Sequence, residues 1–478
     1  MQDFNTLVID LDDTLVKTDT LFEQILRLMR HKPWYLPGAL VALAGGRSYF
    51  KSFLSRHVRL DPGSLVYRQE ILDLIGRLRM GKKLQNIILA SAAHETIVAD
   101  VARHTGVFDD YMGSNRSINL KGVHKLKAIQ NRLGGASFAY AGDSTSDIPI
   151  WNASAKAFVV NPKTKVLKFL RRENREYEAI IDEKRPKILS LIVKQIRVHQ
   201  WVKNVLVFVP LIAAHRFTDT DLLIKAITAF AVFCLVASSV YVLNDLLDVE
   251  ADRKHPSKVR RPFASGELPL KYGLVLFPVL GLSAIVLCSI LPWQFFLSIA
   301  CYWLLNLLYS MKLKEKIIID VVLLGAFYSL RILAGGLATD IMPSPWLLSF
   351  STFFFFGLAL VKRYTELLKK KDGTETGLLH GRGYSSTDLL PVMMLGTGSS
   401  LLSVIVIALY LNSSEIGRLY EHPLRLWLLI PLMLYWNSRL WVIANRGQVD
   451  DDPVIFALKD RTTWAALGIF AVITGLGV

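Results

Sequence analysis

The chain has 478 residues, 52% of them hydrophobic, a mean hydropathy of +0.35 and a formal charge of +16. That is too apolar for an ordinary soluble enzyme and too charged for a chain embedded in membrane throughout, so a soluble part joined to a helical membrane part is implied. The basic residues fall between apolar spans and no arginine-rich tail or nucleic-acid module occurs, which favours anionic lipid and phosphorylated substrates over nucleic acid.

The first thirteen residues place acids after a very short apolar run, so no secretory signal is expected and the first domain is expected in the cytosol. From residue 1 to about 183, short apolar runs alternate with helical periodicity, the pattern of an α/β domain with a buried parallel sheet. Core strands are predicted at 6–10, 85–90, 138–142 and 157–160, each ending in small or polar residues where such sheets hold ligands. The stretch from about 15 to 80 reads as mostly helical and interrupts the sheet early, as a cap over an active site would. Within it, residues 33–46 are unusually apolar, which suits a membrane surface, the second domain or the core of the cap. Residues 163–187 read as a charged helical connector, with 184–196 as the linker.

The remainder, 197–478, reads as an all-α polytopic membrane domain. Spans are predicted at 202–214, 222–243, 272–291, 293–311, 317–338, 347–361, 389–411, 424–443 and 464–478, about nine in all. The first and last are short against the roughly 20 apolar residues a bilayer requires. Cys234, Cys288 and Cys301 lie inside these spans without CxxC spacing and read as packing residues. Lys and Arg gather in alternate loops: Arg253 to Arg261, Lys312 to Lys316, Lys362 to Arg382, and Arg446 to Arg461. The opposite loops hold little beyond Arg216 and Arg418. By the positive-inside rule the basic loops face the cytoplasm, on the same side as the first domain.

Two groups of acids carry the chemistry. Asp10 and Asp12 leave the end of a predicted strand, Ser91 follows a second, Lys125 lies on a later helix, and Asp143 and Asp147 follow a third strand. Such a set supplies a nucleophilic carboxylate, a proton carrier, a hydroxyl and an ammonium for phosphate, and further acids for a magnesium ion. Farther on, Asp245, Asp248 and Asp252 recur at spacings of three and four, so a helix would carry them on one face at the end of a long apolar span. Like charges packed in this way repel, and a divalent cation is the usual remedy. Acids at that depth are costly and read as functional. The cationic loop from His255 to Pro262 follows, suited to a diphosphate on that metal.

In residues 10–14, 91, 125 and 142–147 the chain resembles the haloacid-dehalogenase (HAD) superfamily of phosphotransferases, whose four motifs appear here in order. The resemblance implies Asp10 as nucleophile, Asp12 as general acid and base, Ser91 and Lys125 as phosphoryl-binding groups, and Mg²⁺ held by Asp10, the Asp12 carbonyl and Asp143 with support from Asp147. Lys121 competes with Lys125 for the lysine role, and Lys125 is preferred because it begins a helix.

Asn244 to Asp252 resembles the NDxxDxxxD motif of the UbiA superfamily of intramembrane prenyltransferases, and Arg261 to Gly266 resembles the loop that follows it there. The second DxxxD motif of the aromatic prenyltransferases is missing, since Leu324 stands four residues after Asp320. With the segments around Lys203, Tyr328 to Arg331, Lys362 to Leu367 and Ala457 to Arg461, the pattern is similar to the decaprenyl-phosphate phosphoribosyltransferase branch. This implies transfer of 5-phosphoribose from phosphoribosyl diphosphate to a polyprenyl phosphate. Lys203, Asn244, Lys258, Arg261, Tyr328, Arg331, Lys362 and Arg363 would bind the substrates, and Asp245, Asp248, Asp252 and Asp320 a second Mg²⁺. The HAD domain would then remove the 5-phosphate, giving a precursor for cell-wall glycans.

The location this implies is a bacterial inner membrane with both sites facing the cytoplasm and a homo-oligomer allowed. The alternative is an aromatic prenyltransferase using a polyprenyl diphosphate, with the HAD domain a phosphatase or an idle regulatory module.

Overall fold

The computed structural model describes residues 4–81, 84–161, 164–173, 176–180, 186–372, 382–449 and 452–478. The chain forms two compact units, Met1–Ile196 with Tyr241–Phe277, and Arg197–Val240 with Pro278–Val478. A boundary near residue 197 is expected from sequence, yet the segment carrying the second acidic motif packs with the N-terminal unit.

That unit is built on a six-stranded, wholly parallel sheet in the order β3-β2-β1-β4-β5-β6. The strands are β1 Thr6–Ile9, β2 Asn86–His94, β3 Asp110–Ser114, β4 Phe138–Gly142, β5 Lys156–Val160 and β6 Tyr177–Ile180. The four predicted strands are present, and β3 and β6 are additional. Both are edges with one neighbour each, so neither needs the continuous apolar run that marks a central strand. β6 also corrects the reading of 163–187 as helical throughout; Lys163, Glu183 and Lys184 lie outside the described residues.

Side chains alternate across the sheet as the strand period requires. Leu7, Ile9, Ile87, Leu89, Ala139 and Ala141 face one buried layer, while Val8, Ile88, Ala90, Phe138 and Tyr140 face the other. The chain winds outward on one side from β1 to β3, then restarts beside β1 at β4. The crevice outside the carboxyl ends of β1 and β4 is therefore the topological switch point, where open α/β sheets bind ligands.

The crossover from β1 to β2 holds α1 Thr20–His31, α2 Leu36–Ala44, α3 Arg47–His57 and α4 Gln69–Met80. The first three form the expected helical cap around Leu28, Ala39, Ala42, Phe50, Leu54 and Val58. In contrast α4 packs on the sheet through Ile71, Leu74 and Ile75. Helices α5 Glu95–Thr105, α6 Val123–Leu133, α7 Ile148–Ala153 and α8 Thr164–Arg172 complete the layers, and α9 Ile188–Gln195 lies in the linker.

The 241–277 segment contains the end of α11 (Thr220–Leu247), α12 (Val249–Arg253) and the start of α13 (Leu270–Cys288), the short α10 Val209–Ala213 having come earlier. Charge binds it to α1. Arg253 Nη2 lies 2.6 Å from Glu23 Oε1, with only 5% and 2% of the two side chains exposed. Thr18 donates to the same glutamate at 2.7 Å. Arg253 also donates to the carbonyls of Ser64 and Ala264, so most of its guanidinium is satisfied, as a buried charge requires. Arg27 pairs with Glu250 at 2.8 Å. Gly266, at φ +73°, admits the backbone at this junction, because a Cβ there would stand 2.8 Å from Lys17 Cβ.

The other unit is helical, with α14 Trp293–Met311, α15 Ile319–Thr339, α16 Pro345–Asp372, α17 Leu389–Leu411, α18 Leu429–Asn445, α19 Pro453–Lys459 and α20 Arg461–Gly477. Seven helices among the described residues are long and apolar enough to cross a membrane. The expected first and ninth spans are the exceptions. The first is a tight-turned helix, Val198–Phe208, running into the five residues of α10 at Pro210, and the last is the 17-residue α20. At 1.5 Å per residue, 17 residues reach about 26 Å, short of a 30 Å hydrocarbon core.

Truncating Glu23 to Ala strands a buried guanidinium and should cost about 3–5 kcal/mol, lowering the unfolding midpoint of the detergent-solubilised protein. Adding Arg253→Ala to Glu23→Ala should cost less than the sum of the single changes; additive losses would mean that the pair is not coupled.

Candidate active sites

At the switch point, Asp10 follows β1 and Asp143 follows β4. After β1 the chain makes one wide turn in which Leu15 N bonds to Asp10 O and Val16 N to Leu11 O, with Asp13 at φ +56°. This turn separates the two leading acids. Asp10 stays over the sheet end with its Oδ1 accepting from Leu11 N. Asp12 turns toward the cap, accepting from Thr20 N at 2.7 Å and lying 3.4 Å from Ser91 Oγ.

Carboxylate oxygens of Asp10, Asp143 and Asp147 all lie within 4.8 Å of one another and all three residues are buried. Lys125 Nζ stands 3.0 Å from Asp10 Oδ1 and 3.8 Å from Asp147 Oδ1. Three acids against one ammonium leave negative charge in a buried space, and a hard divalent cation with oxygen ligands fits the deficit. Asp10 and Asp143 stand directly after β1 and β4. Asp147 instead accepts from Tyr140, from Ser144 N and from Ser144 Oγ. It can approach because Gly142 has no side chain; a Cβ there would be 2.9 Å from Asp147 Oδ2. Lys121 is exposed, so Lys125 is the lysine at the acids.

Burial pushes the Asp10 carboxyl up to about 7, with Lys125 opposing and Asp147 and Asp12 adding to the rise. Burial likewise pushes Asp12 up to about 7, with Asp19 adding and the Thr20 N–H opposing. A carboxylic acid that keeps its proton near neutrality can protonate a leaving alkoxide.

In the second acidic motif the helix does not run through. α11 ends at Leu247, Asp248 sits at the junction with φ −93° and ψ 6°, and α12 begins at Val249. Asp245 and Asp252, seven residues apart, share Arg261 Nη1 at 2.8 and 2.7 Å. Asp245 also accepts from Gln195 at 2.8 Å. Asp248 instead takes Arg30 of the cap helix at 2.7 Å, and the same guanidinium nitrogen bonds to the Leu247 carbonyl. The half-buried Asn244 offers its carbonyl to Asp248 N. Burial raises the Asp252 carboxyl, and Arg261 works against it. Arg261 and Lys258, both half-buried, are placed by the turn around Ser257 to Arg261.

The remaining predicted residues lie in the helical unit. Arg331 is buried. It donates to Asn204 Oδ1, the Phe327 carbonyl and the Tyr302 hydroxyl, and its guanidinium lies 5.7 Å from the Tyr328 ring centre. Tyr328 stacks on Phe355. Lys203 pairs with Asp452; burial would raise that carboxyl, but Lys203 and then Lys362 hold it below its ordinary value. Asp320 is fully buried, with Oδ2 on Arg363 at 2.5 Å and Oδ1 accepting from Tyr384 at 2.6 Å. Both of its oxygens are thus engaged.

The UbiA prenyltransferase family matches residues 205–459. The chain belongs to this family. A protein of Sinorhizobium fredii described as uncharacterized protein y4nM is 35% identical over 463 residues, covering 96% of this chain and 88% of its own length. The decaprenyl-phosphate phosphoribosyltransferase of Mycobacterium tuberculosis is 36% identical over 194 residues, 40% of this chain and 64% of that protein. Among solved structures, a HAD family hydrolase of Salmonella enterica aligns with 37% of this chain and 67% of its own at 12% identity, with a TM-score of 0.28. The N-terminal sheet has its own signature, a wholly parallel strand order with Asp10, Ser91 and Asp143 at strand ends and Lys125 on α6. In this UbiA family member the acidic motif and its cationic loop fall inside the matched segment, whereas Lys203 stands two residues before it.

Sequence reasoning passed over several partners. Tyr140 links Lys125 to Asp147 by hydrogen bonds of 3.0 and 2.9 Å; a polar-tipped residue in the middle of an apolar strand was its only signal. Gln195, Glu23, Arg27 and Arg30 reach the UbiA motif from distant sequence positions and carry no motif at all.

The raised carboxyls tie stability to pH. Between 3.8 and about 7 the folded protein holds protons on Asp10 and Asp12 that the unfolded chain has released, so stability should fall as pH rises through that window. Thermal unfolding in EDTA should show this slope, Asp12→Asn should reduce it, and Mg²⁺ should oppose the loss at pH 7; a flat profile would contradict the burial assigned to these acids.

Proposed function

We propose that this membrane enzyme transfers 5-phosphoribose from phosphoribosyl diphosphate to a polyprenyl phosphate and that its N-terminal unit then removes the 5-phosphate. The observation that carries the reading is that both carboxylate groups occur in one compact unit, with α1 touching each: Thr20 N bonds to Asp12, and Arg30 bonds to Asp248. Family membership and likeness to a decaprenyl-phosphate phosphoribosyltransferase support the first step, and the switch-point acids support the second. The cations, Lys258 and Arg261 near the acids and Lys203, Arg331 and Lys362 in the helical unit, suit a donor with a diphosphate and a 5-phosphate and an acceptor with a further phosphate.

In the transfer step a lipid phosphate oxygen attacks the anomeric carbon, the bond to the diphosphate breaks, and pyrophosphate departs. Asp245, Asp248 and Asp252 would hold Mg²⁺, which neutralises diphosphate charge when bound. Arg261 and Arg30, which pair with these acids, would also be within reach of diphosphate oxygens held on that ion.

In the hydrolytic step the Asp10 carboxylate attacks phosphorus while Asp12 protonates the departing ribose 5-oxygen. Asp12 then accepts a proton from the water that hydrolyses the aspartyl-phosphate, releasing orthophosphate. Asp10 and Asp143 would hold the Mg²⁺ of this site, and Ser91 and Lys125 the phosphoryl oxygens. Asp320, locked between Arg363 and Tyr384, is better suited to fixing Arg363 than to holding a metal. We place both sites on the cytoplasmic face of a bacterial inner membrane. The aromatic prenyltransferase reading has no supporting contact.

Purified protein given phosphoribosyl diphosphate, Mg²⁺ and polyprenyl phosphate should release pyrophosphate and then orthophosphate. Asp10→Asn should lower orthophosphate release by at least 10³-fold, on the order expected when a nucleophile is lost, and accumulate the phosphorylated lipid in mass spectra. Asp245→Asn should abolish both products; persistence of ribosyl-lipid synthesis would refute the transfer assignment.

A further inference from the structure

The cap carries an apolar face that the chemistry above leaves without a role. No charged residue occurs from Pro33 to Gly46. Within this run α2 divides its residues: Ala39 and Ala42 turn inward onto Leu28, Phe50 and Leu54. Trp34, Leu40, Val41 and Leu43 turn outward and are 68%, 70%, 72% and 50% exposed. Four large apolar side chains presented together within ten residues are unusual for a water-facing surface.

Charge and position select the occupant. Between Glu23 and Asp61 there is no Asp or Glu, while Arg27, Arg30, Lys32, Arg47, Lys51, Arg56 and Arg59 all fall in that interval. Lys32 and Arg47 bracket the apolar run and are exposed. An apolar face with an aromatic residue and a cationic fringe is the composition of a segment lying in a lipid headgroup layer. A negatively charged leaflet complements the fringe. The patch also begins beside a membrane span. Arg30 Nη1 bonds to the carbonyl of Leu247, the last residue of α11, at 2.6 Å. Trp34 follows Arg30 by four residues, a reach of at most about 14 Å. The face therefore starts at the level where α11 leaves the apolar layer.

We propose that residues 33–46 are an interfacial anchor for the phosphatase cap: Trp34, Leu40, Val41 and Leu43 enter the boundary between headgroups and acyl chains of an anionic leaflet, with Lys32 and Arg47 on lipid phosphates. The anchor seats the cap on the surface from which a lipid-linked substrate is drawn, but it does not depend on which reaction the protein performs.

The test uses the full chain in nanodiscs containing phosphatidylglycerol, with Cys234, Cys288 and Cys301 replaced by Ala and a nitroxide attached after Val41→Cys, Leu40→Cys or, as a water-exposed control, Arg103→Cys. Collision with oxygen should exceed collision with a soluble nickel chelate at positions 40 and 41, and the reverse should hold at 103. Exchanging phosphatidylglycerol for phosphatidylcholine should move position 41 toward water. Free access of the chelate at 40 and 41 would overturn the proposal, because the face would then be solvated. Exclusion of both reagents would also overturn it, because protein, from this chain or a second copy, would cover the face. Should the cysteine-free protein not fold, the unaltered protein in brominated lipid provides the readout: Trp34→Phe should reduce the lipid quenching of total tryptophan fluorescence, and unchanged quenching would reject the anchor.

Discussion

A buried ion pair, Glu23 with Arg253, holds the segment that carries the UbiA acidic motif against helix α1 of the cap. Charges removed from water in this way gain only when their remaining hydrogen-bonding capacity is met. Here Thr18 completes the glutamate, and the carbonyls of Ser64 and Ala264 complete the arginine. Arg27 with Glu250 and Arg30 with Asp248 extend the seam along α1. Such pairs add less to stability than to specificity, because they fix which face of α1 meets which turn of α12. The two acidic motifs share a compact unit as a consequence.

Helix α1 is the element through which that constraint acts. Its first residue, Thr20, donates to Asp12, and Arg30 near its other end binds Asp248. The two contact points, Thr20 and Arg30, lie about 15 Å apart along the helix at 1.5 Å per residue. The anchor proposed for residues 33–46 follows directly from the end of this helix, so the bilayer would bear on it as well.

The acidic groups in both sites are managed by the same means. Lys125 sits among Asp10 and Asp147, Arg261 bridges Asp245 and Asp252, and Arg363 is fixed on Asp320. In the first two the cation limits repulsion among neighbouring carboxylates, while Arg363 neutralises a single buried one. The cases differ in how many acids converge. Asp10, Asp143 and Asp147 bring carboxylate oxygens within 4.8 Å of one another at a sheet end, whereas Asp320 is a single carboxylate with both oxygens engaged. Convergence, rather than acidity, separates a metal-binding candidate from a structural ion pair.

What was legible from residue order alone was whatever depends on local pattern. The short apolar runs of β1, β2, β4 and β5, the acidic and serine motifs at their ends, and the long apolar helices each arise from neighbours in sequence, as does the pairing of an NDxxDxxxD run with a cationic loop. Edge strands β3 and β6 escaped because one-sided pairing relaxes the demand for apolar side chains. The continuous helix expected through Asp245, Asp248 and Asp252 failed at Asp248, where a guanidinium from more than two hundred residues away takes both the carboxylate and the Leu247 carbonyl. Tertiary structure alone decided that residues 241–277 pack with the N-terminal unit, that Gln195 and Arg261 share Asp245, and that Asp320 is closed. The physical reason is that a buried charge is satisfied by whichever opposite charge the fold brings within about 3 Å, and no spacing rule along one chain encodes which residue that will be.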